Sequence, residues 1–396
     1  MAAVTGAMAQ ATLYGTIEQT YNKSTTTVDG VVISSKKSLG AYQMGQSFIG
    51  VKGSEELNNG LKAAYLYEFG VQSETSATPT NRQSFVGLSG GFGAIRLGKQ
   101  YSQGFNNAIA ADPGGATGAT GALYLAPMTG YNGTEAPLRQ DKALQFDLPS
   151  FVPGLNITLT KVWGGNNTAA TSDDYTQETN GVNTGDGTGY ALTYTSGPLY
   201  VGFTSDSVTN TGINFGTNDD AVAAIGGTSA AASASAFELT AGSATQKNKL
   251  TTATATYDLG MAKVGYSQTK MAVGAESLST SMVSVSVPLG QTTVFYSSSN
   301  GDIVSTSGDY AIGNASLKGT QYGANYALSK RTVAYIHGGR LTADLTTLDA
   351  VKKVNNYGIG IHHSFYSPRW PSCQLKDKEP KTRCSQGSGF FLGCVC

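Results

Sequence analysis

The first 372 residues contain no cysteine, and no run of apolar residues reaches the roughly 18 that a membrane-spanning helix requires. Charge is scarce as well, at 13% of 396 residues against roughly 25% in an ordinary soluble domain. Each absence excludes a class. Without long apolar runs there is no helical membrane protein. Without clustered Lys and Arg there is no electrostatic footprint for nucleic acid. With only three histidines, no paired-cysteine ligand spacing and no nucleotide-binding glycine loop, no metal or cofactor site is expected. The Gly91-Phe92-Gly93 stretch opens onto alternating residues from Ala94, not onto a helix, so it fails the context of a dinucleotide loop.

Small neutral residues take the place of the missing charge. The chain holds 51 glycines, nearly twice the usual share of about 7%, with abundant Ser, Thr and Asn, while 21 tyrosines and 14 phenylalanines argue against disorder.

All four cysteines, Cys373, Cys384, Cys394 and Cys396, lie in the last 24 residues, beside Arg369, Lys376, Lys378, Lys381 and Arg383. Residues 366–396 therefore read as a basic tail foreign to the rest, a frameshifted or read-through end in preference to a two-disulfide appendage. Residues 1–9 read as the remnant of a signal peptide, with Ala7-Met8-Ala9 as the cleavage pattern before Gln10.

Between these ends, strict alternation recurs. Val283, Val285 and Val287 alternate with Ser284 and Ser286, Leu155, Ile157 and Leu159 with Asn156 and Thr158, and Tyr357, Ile359, Ile361, His363 and Phe365 with Gly358, Gly360, His362 and Ser364. Period two places each set on one face of a strand. The opposite face carries Ser, Thr, Asn and Gly instead of the Lys and Glu of a soluble sheet, which suits a crowded wet interior. Apolar-out, polar-in strands with every backbone group paired describe a transmembrane β-barrel.

Sixteen such segments begin near residues 11, 43, 60, 81, 93, 139, 154, 188, 198, 248, 260, 281, 291, 320, 331 and 354. Tight turns such as Asn58-Asn59-Gly60, Ser196-Gly197-Pro198 and Asp258-Leu259-Gly260 alternate with long polar stretches at 23–41, 101–138, 164–187, 207–247 and 300–318. The reading is an all-β, 16-stranded antiparallel barrel over residues 10–365, with short periplasmic turns and long external loops. The Ala/Ser/Gly-rich run Ala221 to Ala244 is read as one of those loops.

Several ordered stretches resemble the trimeric general porins of Gram-negative outer membranes, most closely the β-proteobacterial branch. They are Ala11-Thr12-Leu13-Tyr14-Gly15, Phe48-Ile49-Gly50-Val51-Lys52-Gly53, Asn81-Arg82-Gln83-Ser84-Phe85-Val86-Gly87-Leu88, Leu97-Gly98-Lys99-Gln100-Tyr101 and Tyr326-Ala327-Leu328-Ser329-Lys330. The resemblance implies a water-filled homotrimeric channel for small hydrophilic solutes and ions in the outer membrane, narrowed by an inward-folded third loop and surrounded by lipid and lipopolysaccharide. Ser102 to Leu138 is then the constriction loop, with Asp112 and Glu135 as its acids. Arg82, Arg139 and Lys52 match basic wall positions, Lys99 is a further candidate, Glu68 is a candidate lumen acid, and Phe365 matches the terminal aromatic read by the assembly machinery.

Phe48 departs from the family, which usually has arginine there, so one wall charge is missing. Alternation places Ile49 and Val51 toward lipid if Lys52 faces the lumen, and Phe85 toward lipid if Arg82 and Ser84 do not. A substrate-selective porin, an adhesin or structural barrel, and an outer-membrane enzyme are the alternatives. The enzyme has no nucleophile–base motif to support it, and His363 falls on the lipid face.

Overall fold

The computed structural model describes residues 11–40, 47–71, 78–115, 138–164, 186–215, 239–273, 276–304, 315–345 and 350–365. Seventeen strands run in chain order: β1 (Thr12–Val28), β2 (Val31–Gly40), β3 (Phe48–Glu56), β4 (Lys62–Gly70), β5 (Thr80–Gly90), β6 (Gly93–Tyr101), β7 (Arg139–Asp147), β8 (Leu155–Val162), β9 (Gly187–Ser196), β10 (Leu199–Phe215), β11 (Leu239–Asp258), β12 (Lys263–Val273), β13 (Glu276–Leu289), β14 (Thr292–Val304), β15 (Ala315–Ala327), β16 (Thr332–Leu345) and β17 (Ala350–Phe365). From β3 onward successive strands pair antiparallel, and β17 closes the ring on β1 from Gly15↔Phe365 to Val28↔Lys352. Both β2 and β3 pair with β1, over Thr20–Val28 and Thr12–Thr16 respectively. They are two pieces of one stave, so the barrel has the sixteen staves that the alternation implies.

Small polar sequence conceals how far the strands extend. Of the stretch 23–41, residues 23–40 are a hairpin and not a loop: β1 continues to Val28 and returns as β2 through Asp29 (φ 50°) and Gly30 (φ 84°). An Asp-Gly pair supplies the two positive φ values of such a turn. Likewise β10 reaches Phe215 and β11 starts at Leu239, so the last residues of the Ala/Ser/Gly-rich run are strand, while 221–238 lie outside the described residues. Above the apolar band neither face meets lipid, and the alternation fades although the backbone ladder continues. Residues 1–10 and 366–396 also lie outside the described residues.

The two faces differ as expected. Leu13, Ile17, Tyr21, Ile336, Ile359 and Ile361 on the outer face are 45–60% exposed. The buried interior is more polar than apolar: Glu18, Thr20, Thr204, Thr252, Ser267, Thr269 and Ser297 are fully buried, alongside a smaller apolar set that includes Met271, Leu278, Met282, Ile303 and Leu317. His363 is exposed and His362 faces inward. No described helix is long and apolar enough to cross a membrane.

One register prediction fails. Gln83 lies opposite Glu68 and Asn81 opposite Phe69, which leaves Arg82 as an extra residue in a bulge. The bulge returns Gln83 and Phe85 to the inner face, opposite Glu68 and Leu66, while Val86, opposite Tyr65, is 57% exposed. Phe85 therefore faces inward and not toward lipid.

Candidate functional site

Strands β3 to β7 are short, and the inner side of this low wall carries a chain of alternating cations and rings. Lys52 Nζ stands 4.7 Å from the centre of the Tyr14 ring, and Phe48 meets the same ring edge-on at 5.8 Å. The Arg82 guanidinium lies 4.7 Å over Phe48 and donates to Tyr101 Oη at 2.7 Å. Arg139 donates to the same oxygen at 3.0 Å and lies over the Tyr101 ring at 4.8 Å. Cation–π contacts of this kind contribute more where water is partly excluded, and each ring also fixes the direction of a long side chain.

Glu68 is the acid of the cluster. Its Oε1 accepts from Tyr14 Oη at 2.7 Å, and its Oε2 accepts from Gln83 Nε2 at 3.1 Å and lies 3.6 Å from Arg82 Nε. Both partners of the ion pair are buried, and two additional hydrogen bonds satisfy the carboxylate, the arrangement a buried pair requires. Three cations thus face one carboxylate.

Five of the expected residues, Phe48, Lys52, Glu68, Arg82 and Arg139, come together here. Lys99 does not join them: it sits beside a second bulge and pairs with Asp141 at 2.8 Å. Tyr14, Gln83 and Tyr101 are members that the sequence reading missed. Tyr14 and Tyr101 both sit inside family-like motifs, but an aromatic in a barrel strand reads as part of the lipid-facing girdle unless its partner is known.

The loop after β6 turns into the lumen. Ser102 Oγ caps helix α1 (Gln103–Ile109) by accepting from Phe105 N at 3.1 Å, and Phe105 stacks on Tyr101 at 4.7 Å. Asn107 fastens the helix to the β10–β11 wall, donating to Thr252 O at 3.3 Å and accepting from Tyr200 Oη at 3.0 Å. Beyond the helix Lys263 Nζ donates to Ala110 O, Ser284 Oγ donates to Ala111 O, and Gly114 lies against Gln321 of β15. The segment crosses from β6 to the staves on the far side of the ring. Asp112 lies there, half-buried, with one carboxylate oxygen accepting from Gly114 N at 2.8 Å. Glu135 lies outside the described residues.

A second polar knot lies at the closure seam. Glu18 is fully buried and accepts from Tyr335 Oη at 2.6 Å and Thr20 Oγ1 at 3.0 Å. His362 Nδ1 is 3.8 Å from Glu18, and its Nε2 is 3.2 Å from Ser364 Oγ. Phe365 is the last described residue, opposite Gly15.

A family profile described as Gram-negative porin matches residues 1–346. Among curated proteins, the major outer membrane protein P.IB of Neisseria gonorrhoeae is 46% identical over 100 residues, 24% of this chain and 28% of that protein. Its counterpart in Neisseria meningitidis is 43% identical over 99 residues, so the alignable stretch spans under a third of these relatives. Among solved structures, the anion-selective porin from Comamonas acidovorans superposes with a TM-score of 0.66 at 20% identity, covering 90% of this chain and 100% of that one. Salmonella typhi OmpF gives 0.61 at 16% identity, covering 90% and 98%.

Proposed function

The chain belongs to the Gram-negative porin family, and from that premise we propose that it is an outer-membrane channel for passive diffusion of small hydrophilic solutes and ions. The observation that carries the reading is the pairing of a polar barrel interior with a loop that crosses it from β6 to β15. Such a loop divides the lumen and leaves an aperture between itself and the wall holding Lys52, Arg82 and Arg139. Selectivity in a pore of this kind follows from its width and the charges lining it. Three cations against Glu68 favour anions, and Asp112 on the loop side sets up a field across the passage. The missing charge at Phe48 makes that preference weak.

By the same reading, residues 10–365 form the channel, three copies associate, and Phe365 is the signal for the assembly machinery. An enzymatic role draws little support. Glu18, His362 and Ser364 lie in sequence like a nucleophile relay, but the 3.8 Å gap exceeds the reach of an orienting hydrogen bond, and Glu18 already serves Tyr335 and Thr20.

Liposome swelling tests the reading. Vesicles containing the protein should swell in sugar solutions at rates that fall smoothly with solute size. No swelling contradicts a channel, and a rate that peaks at one sugar supports a substrate-selective porin.

A further inference from the structure

The inner side of the low wall carries apolar groups that water can reach, beside its cations. Phe48 and Lys52 lie on the inner face of β3 with Gly50 between them, and Lys52 stands opposite Leu66 of β4, which stands opposite Phe85 of β5. Phe48, Leu66 and Phe85 are each partly exposed. The inward apolar groups of the far staves, Met271, Leu278, Met282, Ile303 and Leu317, are fully buried and beyond the reach of a solute. An accessible apolar patch in an otherwise polar lumen forgoes the hydration that Ser and Thr obtain there, and such patches mark places where a ligand is met.

Gly70, opposite Phe48, and Leu66, opposite Phe85, are four residues apart, so the two rings are separated by about 13 Å along the strands at roughly 3.3 Å per residue. Phe48 is the farther of the two from the short Asn58–Gly60 turn, which puts it nearer the external mouth. The Tyr14 ring lies against Gly50, where a Cβ would stand 2.9 Å from it, and so meets Phe48 only edge-on at 5.8 Å. Arg82 lies 4.7 Å over Phe48. Arg139 donates to the neutral Tyr101 Oη and pairs with no carboxylate among the described residues. Ring, cation and ring thus follow one another along the wall that faces the loop.

We propose that this wall selects aromatic carboxylates among small anions, the carboxylate drawn to Arg82 and Arg139 while the ring rests first on Phe48 and then on Phe85. Guanidinium groups hold carboxylates through charge-assisted hydrogen bonds. Two rings that meet offset or edge to face attract each other beyond what their buried area supplies. An aliphatic acid of the same size obtains the first interaction and not the second, and a neutral aromatic obtains the second and not the first. An aromatic cation faces three positive groups and a single carboxylate, Glu68, that already serves Tyr14, Gln83 and Arg82.

The inference names a solute class for the channel proposed above and rests on that reading, so the test reports conduction and selection separately. Full-length protein in a planar bilayer carries chloride current at neutral pH, and benzoate or cyclohexanecarboxylate, equal in charge and similar in size, is added to one side. Benzoate should halve the current at a concentration about fivefold below that of cyclohexanecarboxylate, the effect of one aromatic pair. Phe48→Leu and Phe85→Leu each keep an apolar side chain and remove a ring, and each should bring the two concentrations closer together. Because the two residues sit on different strands, one variant keeps the test open if the other does not fold. Equal block by the two acids in the wild type, or a preference that is unchanged in both variants, overturns the proposal. Chloride conduction that neither acid blocks also overturns it and leaves the channel reading intact, whereas a membrane silent to chloride overturns both.

Discussion

Arg82 is held from three directions, by the Phe48 ring, the Glu68 carboxylate and the Tyr101 hydroxyl. A side chain fixed in this way acts as a stationary charge instead of a mobile one, and Phe48 is the member most open to redesign. Phe48→Arg adds a unit charge beside a passing ion; at about 5 Å in a water-like medium this is worth about 0.8 kcal/mol, roughly a fourfold gain in local anion occupancy. The reversal potential under a salt gradient should move toward the anion's equilibrium value, and Arg139→Ser should move it the other way by a similar amount. No shift in either variant would remove these residues from the conduction path. The basic members of this cluster were legible because each charge had to face inward or lie at a strand end to avoid lipid. Phe85 was misplaced because alternation assumes an unbroken ladder, and the extra residue at Arg82 breaks it. Tyr14 and Tyr101 were hidden by their chemistry, since only the register reveals which side of the wall a tyrosine serves.

At the scale of elements, the loop's position depends on few contacts. Asn107 joins α1 to two strands, and each bond is worth roughly 0.5–1.5 kcal/mol. Asn107→Ala should leave the barrel folded but loosen the helix, seen as increased open-channel current noise with a lower temperature of thermal unfolding. Unchanged noise would show that the remaining contacts suffice. Gly98 is less tolerant. It has φ 133°, and a Cβ would lie 2.1 Å from Ser84 O, so Gly98→Ala should sharply reduce the yield of folded barrel in a heat-mobility gel. The staves themselves were readable wherever lipid faces one side, as at Val283 to Val287 and Tyr357 to Phe365. The upper halves of β1, β10 and β11 were not, because Ser, Thr and Asn on both faces leave no hydrophobic period to read, and β2 opens on three successive apolar residues, Val31, Val32 and Ile33, which do not alternate either. The hairpin at Asp29-Gly30 carried a turn signal, but the polar flanks obscured it.

For the whole molecule, the described strands end at Phe365, opposite Gly15, and the ring is closed without residues beyond. A chain stopped after Phe365 should therefore insert into membranes at least as well as the full-length chain, measured as folded protein recovered in outer-membrane fractions. Clearly poorer insertion would give the Cys-containing tail a role in assembly. The low charge and high glycine content have a common cause at this scale: sixteen staves with one face in lipid and the other in a crowded polar lumen leave few places for Lys or Glu. Glu18, Asp206 and Lys352 are buried elsewhere in the barrel, but Lys52, Glu68, Arg82 and Arg139 face the inward-folded loop, and they define the central claim, a water-filled passage biased by a cationic wall. Single-channel recording in a planar bilayer under a salt gradient tests it most directly. The account predicts ohmic current that closes in three equal steps, with a reversal potential of the sign expected for weak anion preference. A silent membrane, or a reversal potential of cation-selective sign, would contradict it.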